Sequence, residues 1–153
     1  MKDKRPDYAT LMEHFATYVA EVRPQVQSPA EVAAVMRPLL HDREQEEMHV
    51  LLLDVKHRLI ASERVTVGLV DRAPVHAREI FRRAILRNCS KILLVHNHPS
   101  GDPTPSAQDI ASTRELVAAG KLLGIEVLDH VVLGQRTAER PRDYLSFREE
   151  ALL

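Results

Sequence analysis

The sequence predicts an α/β protein in which a mixed β-sheet is flanked by helices. Stretches with apolar residues at helical spacing alternate along the chain with short apolar runs of strand length. One of those runs, Lys91-Ile92-Leu93-Leu94-Val95, is continuous in the manner of a buried strand. Segments rich in proline, glycine and polar residues separate the elements, as turns and loops require.

Residues 7–22 carry Leu11, Phe15, Tyr18, Val19 and Val22 at helical spacing, which predicts an amphipathic N-terminal helix. Ser28-Pro29-Ala30-Glu31 has the form of a helix start, with serine as cap, proline in the first turn and glutamate three residues on. The helix it opens should end near Leu40. Met48 to Asp54 reads as a strand that turns through Val55-Lys56-His57-Arg58 into a second, Leu59 to Val67, closed by Gly68. Ala77 to Asn88 is predicted helical with Ile80, Phe81, Ala84 and Ile85 inward, and leads to the buried strand at 91–95. After a loop over 99–105, a helix is expected from about Ser106 to Leu123. Gly124 to Leu128 and His130 to Leu133 then form one long or bent apolar strand, Gln135 to Asp143 a polar loop, and Tyr144 to Phe147 a short last strand.

A chain of 153 residues suits one core, large enough to bury about two thirds of its extended surface. Its 44% hydrophobic and 28% charged content is that of an ordinary globular protein and excludes disorder and coiled coil. A formal net charge of −1 argues against a strongly basic nucleic-acid-binding protein. Arg78, Arg82, Arg83, Arg87 and Lys91 cluster in sequence and read as a solvated helix face, the alternative being a contact for phosphates or an acidic partner. Cys89 is the only cysteine, which allows no internal disulfide and suits a reducing compartment; its apolar flanks favour packing over nucleophilic duty. Met1 to Arg5 leads into no apolar region, and no run approaches the roughly 20 residues that span a bilayer, so a cytoplasmic location without membrane contact is expected.

The chemistry is concentrated in His96-Asn97-His98, with Ser106 and Asp109 following. Residues two apart in extended chain project to the same side, so His96 and His98 at the end of a strand can grip one ion. Pro99, Pro103, Pro105 and Gly101 force the chain to reverse. Asp109 then falls in the first turn of a helix, where backbone N–H groups favour an ionised carboxylate. Two imidazoles and one carboxylate bind zinc at about 2.0–2.2 Å and leave a fourth tetrahedral position for water, a catalytic rather than a structural arrangement. His96, His98 and Asp109 are therefore expected to hold one Zn2+ per chain. Ser106-x-x-Asp109 also fits a capping-box variant in which both side chains satisfy orphan amides.

The spacing His-x-His, seven residues, Ser, two residues, Asp resembles the signature of the JAMM (MPN+) metalloproteases. More closely, the chain resembles RadC-like proteins through Val75-His76-Ala77-Arg78-Glu79-Ile80-Phe81, His96 to Pro103, and Asp129-His130-Val131-Val132-Leu133-Gly134. The resemblance covers residues 28–153 as one domain and leaves 1–27 as an N-terminal helical extension. It implies the MPN (JAB/JAMM) fold, with cytidine-deaminase-like layering. Ala77 stands where the family usually has proline, and Leu69 where threonine is common. Residues 1–27 have no glycine-containing hairpin of the helix-hairpin-helix kind that full-length RadC proteins carry, so a nucleic-acid role has weak support.

The resemblance further implies a general base just before the first core strand. Alignment on Leu53-Asp54 selects Glu46, with Glu47 as runner-up. It assigns Ser106 to the oxyanion of the tetrahedral intermediate, against the plain reading of a helix cap. The activity implied is zinc-dependent hydrolysis of an amide or isopeptide bond in a peptide or protein substrate. The alternative is a scaffold or binding module in DNA maintenance that keeps a metal site but does not turn over. His76 and His130 read as hydrogen-bonded packing histidines rather than ligands, and His14, His41, His49 and His57 carry no signal. Asp129 is a candidate acceptor for the second ring N–H of a ligand histidine. A nucleotide deaminase is excluded because it needs a Pro-Cys-x-x-Cys pair.

Overall fold

A computed structural model describes residues 7–41, 43–68 and 75–153 of the chain. Leu69 and Met1 to Arg5 lie outside the described residues. The elements run α1 (Tyr8–Val22), α2 (Pro29–Leu40), β1 (Glu47–Leu53), β2 (Leu59–Val67), α3 (Ala77–Leu86), β3 (Lys91–Asn97), α4 (Ala107–Leu123), β4 (Glu126–Leu133) and β5 (Tyr144–Ser146). The strands form a five-stranded sheet of order β2-β1-β3-β4-β5. It is mixed as expected: β3 and β4 pair in parallel, whereas β1 pairs antiparallel with both β2 and β3, and β4 antiparallel with β5. This is the layering of a JAB/MPN fold.

Strand alternation sorts the core into two layers. Leu51, Leu53, Leu93 and Val95 face Val19, Val32, Met36 and Leu39 of α1 and α2. Val50, Leu52, Ile92 and Leu94 face Ile80, Phe81 and Ala84 of α3 and Leu116 of α4. The N-terminal helix thus shares the core, since Leu11, Met12 and Phe15 pack against the first cluster.

Local signals fix the helix ends. Ser28 Oγ accepts from the Glu31 amide with Pro29 at the first position of α2, and such a cap stabilises a helix by about 1 kcal/mol. Gly124, expected to begin a strand, instead caps α4 in the left-handed region at φ 71°, so β4 starts at Glu126. The apolar stretch 126–133 is one strand with a bulge: Ile92 pairs with Val127 but Leu93 with Asp129, which leaves Leu128 over. An extra residue exchanges the faces of everything that follows it.

Elsewhere the expectations meet plainer outcomes. Cys89 is buried, and burial pushes its thiol up. Within the basic run, Arg83 of α3 lies 3.8 Å from Glu63 and 3.9 Å from Glu79, while Lys91 at the start of β3 sets its Nζ 2.8 Å from His57 Nε2. Among the described residues no helix is long and apolar enough to cross a membrane.

Candidate metal centre

His96 is the penultimate residue of β3 and His98 follows its end, where the sheet meets the N-terminus of α4. Their Nε2 atoms approach to 2.9 Å. Asp109 Oδ2 lies 3.5 Å from that of His96 and 3.6 Å from that of His98. Glu46 Oε1 stands at 3.7 and 3.9 Å from the same nitrogens. The structure therefore brings together all four residues singled out as ligands or base. Glu46, His96 and His98 also offer ligand atoms within 4.8 Å of one another. The group borders a hollow of about 350 Å³, whose lining includes Met48, Thr104, Ser106, Ser112 and Leu116.

Each member is held from outside. The loop after β3 is pinned by Gly101, at φ +89°, and Gly134: a Cβ on Gly134 would sit 2.3 Å from the Gly101 carbonyl oxygen, which accepts from the Gln135 amide. This close approach admits only glycine at 134. Within the loop, the Asp102 carbonyl lies 2.7 Å from His98 Nδ1, while the His98 amide donates to the Leu133 carbonyl. Asp109 closes a capping box: its amide donates to Ser106 Oγ at 3.0 Å, and its Oδ2 accepts from the Ser106 amide at 2.8 Å. Burial alone would raise the Asp109 carboxyl, but the facing His96 and His98 imidazoles and the Ser106 amide hold it well below the usual carboxylate range. Burial likewise opposes charge on His98, yet Asp109, the Asp102 carbonyl and Glu46 raise its affinity for a proton.

Asn97, between the histidines, points to the opposite side of β3. Its Oδ1 accepts from the Glu47 amide at 2.7 Å, and its Nδ2 donates to the Gln45 carbonyl at 3.0 Å. The two bonds bracket Glu46, and the Glu46 carbonyl accepts from the Gly68 amide. Glu47, the runner-up for the base, faces away from the site and is fully buried. It accepts from Tyr8 Oη at 2.7 Å, Arg43 Nε at 3.2 Å and an Arg64 Nη at 3.3 Å. Its burial would raise the carboxyl, but the nearby His49 imidazole, the Tyr8 hydroxyl and Arg64 bring it down to about 2. Burial and the Glu47 carboxylate in turn push the Tyr8 phenol up to about 12.

Asp129 is not an acceptor for a ligand imidazole. The bulge at Leu128 leaves it on the α2 face, where it accepts from Ser146 Oγ and the Arg148 and His130 amides. The same bulge turns His130 towards α4. His130 is fully buried, stacks on Phe147 at 4.5 Å, and sets its Nε2 2.6 Å from His96 Nδ1 and its Nδ1 2.8 Å from Thr113 Oγ1. Burial and the neighbouring His96 keep it well below the ordinary range for histidine. The sequence reading of a hydrogen-bonded packing histidine fits this placement. Thr113 and Tyr8 carried no sequence signal. Asn97 had one unused, since alternation aims the middle residue of His-x-His at the other face.

Residues 26–152 match the RadC-like JAB domain family. A UPF0758 protein of Methanosarcina acetivorans is 38% identical over 143 residues, 94% of this chain and 60% of that protein. One from Alkaliphilus metalliredigens is 43% identical over 129 residues, covering 84% and 53%. Another, from Caldanaerobacter subterraneus, is 47% identical over 109 residues, covering 71% and 47%. The chain thus spans about half to three fifths of the length of these relatives. By its sequence match and by the mixed sheet that carries the matched residues, the chain belongs to the RadC-like JAB domain family.

Proposed function

We propose that this chain is a zinc-dependent hydrolase of amide or isopeptide bonds, with His96, His98 and Asp109 as the metal ligands and Glu46 as general base. The observation that supports it most is the convergence of two imidazole nitrogens and two carboxylate oxygens on one point beside an accessible hollow. The donor set fits zinc, which favours nitrogen and oxygen donors at about 2.0–2.2 Å, so that tetrahedral neighbours lie about 3.3–3.6 Å apart. Asp109 meets that separation from both histidines, at 3.5 and 3.6 Å, whereas the two histidine nitrogens stand closer, at 2.9 Å. Glu46, at 3.7 and 3.9 Å, stands slightly outside it, which suits a base rather than a ligand.

When bound, zinc supplies polarisation of a carbonyl and acidification of water towards a pKa of about 7. The remaining work falls to side chains of this chain. Glu46 takes a proton from the attacking water at one carboxylate oxygen and returns it to the leaving nitrogen, a role that typically contributes about 10²–10⁴-fold in rate. Ser106 serves in two ways at once: its oxygen lone pair caps α4, and its own hydroxyl proton is left to donate to the developing oxyanion. Met48 and Leu116 give the hollow an apolar lining that can take a substrate side chain.

The test is metal analysis of the purified protein beside His96→Ala, joined to a screen of peptide and isopeptide substrates with and without chelator. We expect zinc near one equivalent, lost in the variant, and cleavage that chelator abolishes. Zinc binding with no cleavage by the loaded protein overturns the hydrolase and leaves a metal-bearing scaffold. A protein that takes up no zinc overturns the metal centre.

A further inference from the structure

The hydrogen bonds behind His96 form a one-way proton relay. Thr113 Oγ1 lies 2.7 Å from the Asp109 main-chain carbonyl, which can only accept, so the single hydroxyl proton is committed there. The contact of 2.8 Å between Thr113 Oγ1 and His130 Nδ1 then requires that nitrogen to donate. Neutral His130 has no second proton, and its Nε2, 2.6 Å from His96 Nδ1, accepts from it. His96 is left with a bare lone pair on Nε2, the atom that faces His98, Asp109 and Glu46. His98 Nδ1 faces the Asp102 carbonyl and donates to it by a separate and shorter route.

We propose that Thr113 and His130 are positioning residues that lock His96 in the tautomer competent to ligate a cation. The inference rests on the metal-centre reading. The path is closed: Asp109 anchors the far end of the relay through its main-chain oxygen and faces the near end with its carboxylate. The first turn of α4 therefore sets the position of one donor and the protonation pattern of another. Without the Thr113 hydroxyl, His130 is free to carry its proton on Nε2. His96 Nδ1 must then accept, and its proton moves to Nε2, where it competes with the cation. Outer partners of this kind typically alter metal affinity about 10–100-fold.

The experiment compares wild type, Thr113→Val and Thr113→Ser by two measurements. One is the ring ¹⁵N spectrum of the histidines in metal-free protein, which reports which nitrogen holds the proton. The other is zinc affinity by chelator competition. Wild type should show His96 and His98 both protonated on Nδ1. Valine should shift His96 towards the other tautomer, leave His98 unchanged because it has its own carbonyl, and weaken zinc about 10–100-fold. Serine, which keeps the hydroxyl, should restore both. A wild-type His96 protonated on Nε2, or a folded valine variant with unaltered His96 and unaltered affinity, overturns the relay. If Thr113→Val does not fold, the wild-type spectrum decides alone. A wild type that binds no zinc, with His96 still protonated on Nδ1, refutes the metal centre and not the relay.

Discussion

Glu46 and Glu47 are adjacent in sequence and lead opposite lives. Glu47 is the first residue of β1, faces α1, and accepts from a phenol and two guanidinium groups, with an imidazole 3.8 Å away. Glu46, one residue earlier, turns to the α4 face, where among the described residues it meets only the two imidazole nitrogens of the candidate centre, each beyond 3.5 Å. The Tyr8 ring under Glu47 is itself covered by Arg43 at 3.8 Å and Arg64 at 5.2 Å. A buried carboxylate held as an anion by three donors keeps structure together and is a poor acceptor for a proton. The one with open valences beside a hollow can do chemistry. Asn97 connects the two, because its amide grips the backbone on both sides of Glu46 while anchoring the amide of Glu47.

Glu46→Gln gives the sharpest test of this contrast: cleavage should fall about 10²–10⁴-fold in a peptidase assay, with zinc affinity and melting temperature nearly those of wild type. Glu47→Gln should do the reverse, costing on the order of 3 kcal/mol in denaturant unfolding because Arg43 and Arg64 lose their charge partner. Equal effects of the two variants on stability would dissolve the comparison.

The pH dependence of unfolding refines it. The Glu47 carboxyl is depressed from 4.5 to about 2, so the stability it adds is complete above about pH 4.5 and is lost as pH falls towards 2. Urea titrations across that window should show a steep acid loss in wild type and a flatter profile in Glu47→Gln. Asn97→Ala removes both bracketing bonds and strands a buried amide, at a cost of about 1–3 kcal/mol. It should also lower kcat with little change in zinc affinity, since neither histidine is touched. The smallest stability change is expected for Ser106→Ala, about 1 kcal/mol from the lost cap. A drop of about 10²–10³ in kcat alongside it would mark the oxyanion role, and unchanged kcat would leave Ser106 as a cap alone.

What the sequence settled is local. Continuous apolar runs such as Leu51 to Leu53 and Ile92 to Val95, caps such as Ser28-Pro29, and the His-x-His spacing at a strand end depend on neighbours a few residues away. Helices and strands accordingly fall within a few residues of their expected positions, and His96, His98 and Asp109 lie near one another at the strand end, with Glu46, which only the family resemblance selected, beside them. Tertiary structure decided what depends on register between distant strands. The bulge at Leu128 exists only against β3, and by exchanging the faces of β4 it sends Asp129 to α2 and His130 to His96. Glu46 parted from Glu47 only when Asn97 and Tyr8, 50 and 39 residues from Glu47 along the chain, had somewhere to bind. A side chain's direction is fixed by its own backbone, but which partner waits there is fixed by packing, which no short stretch of sequence contains.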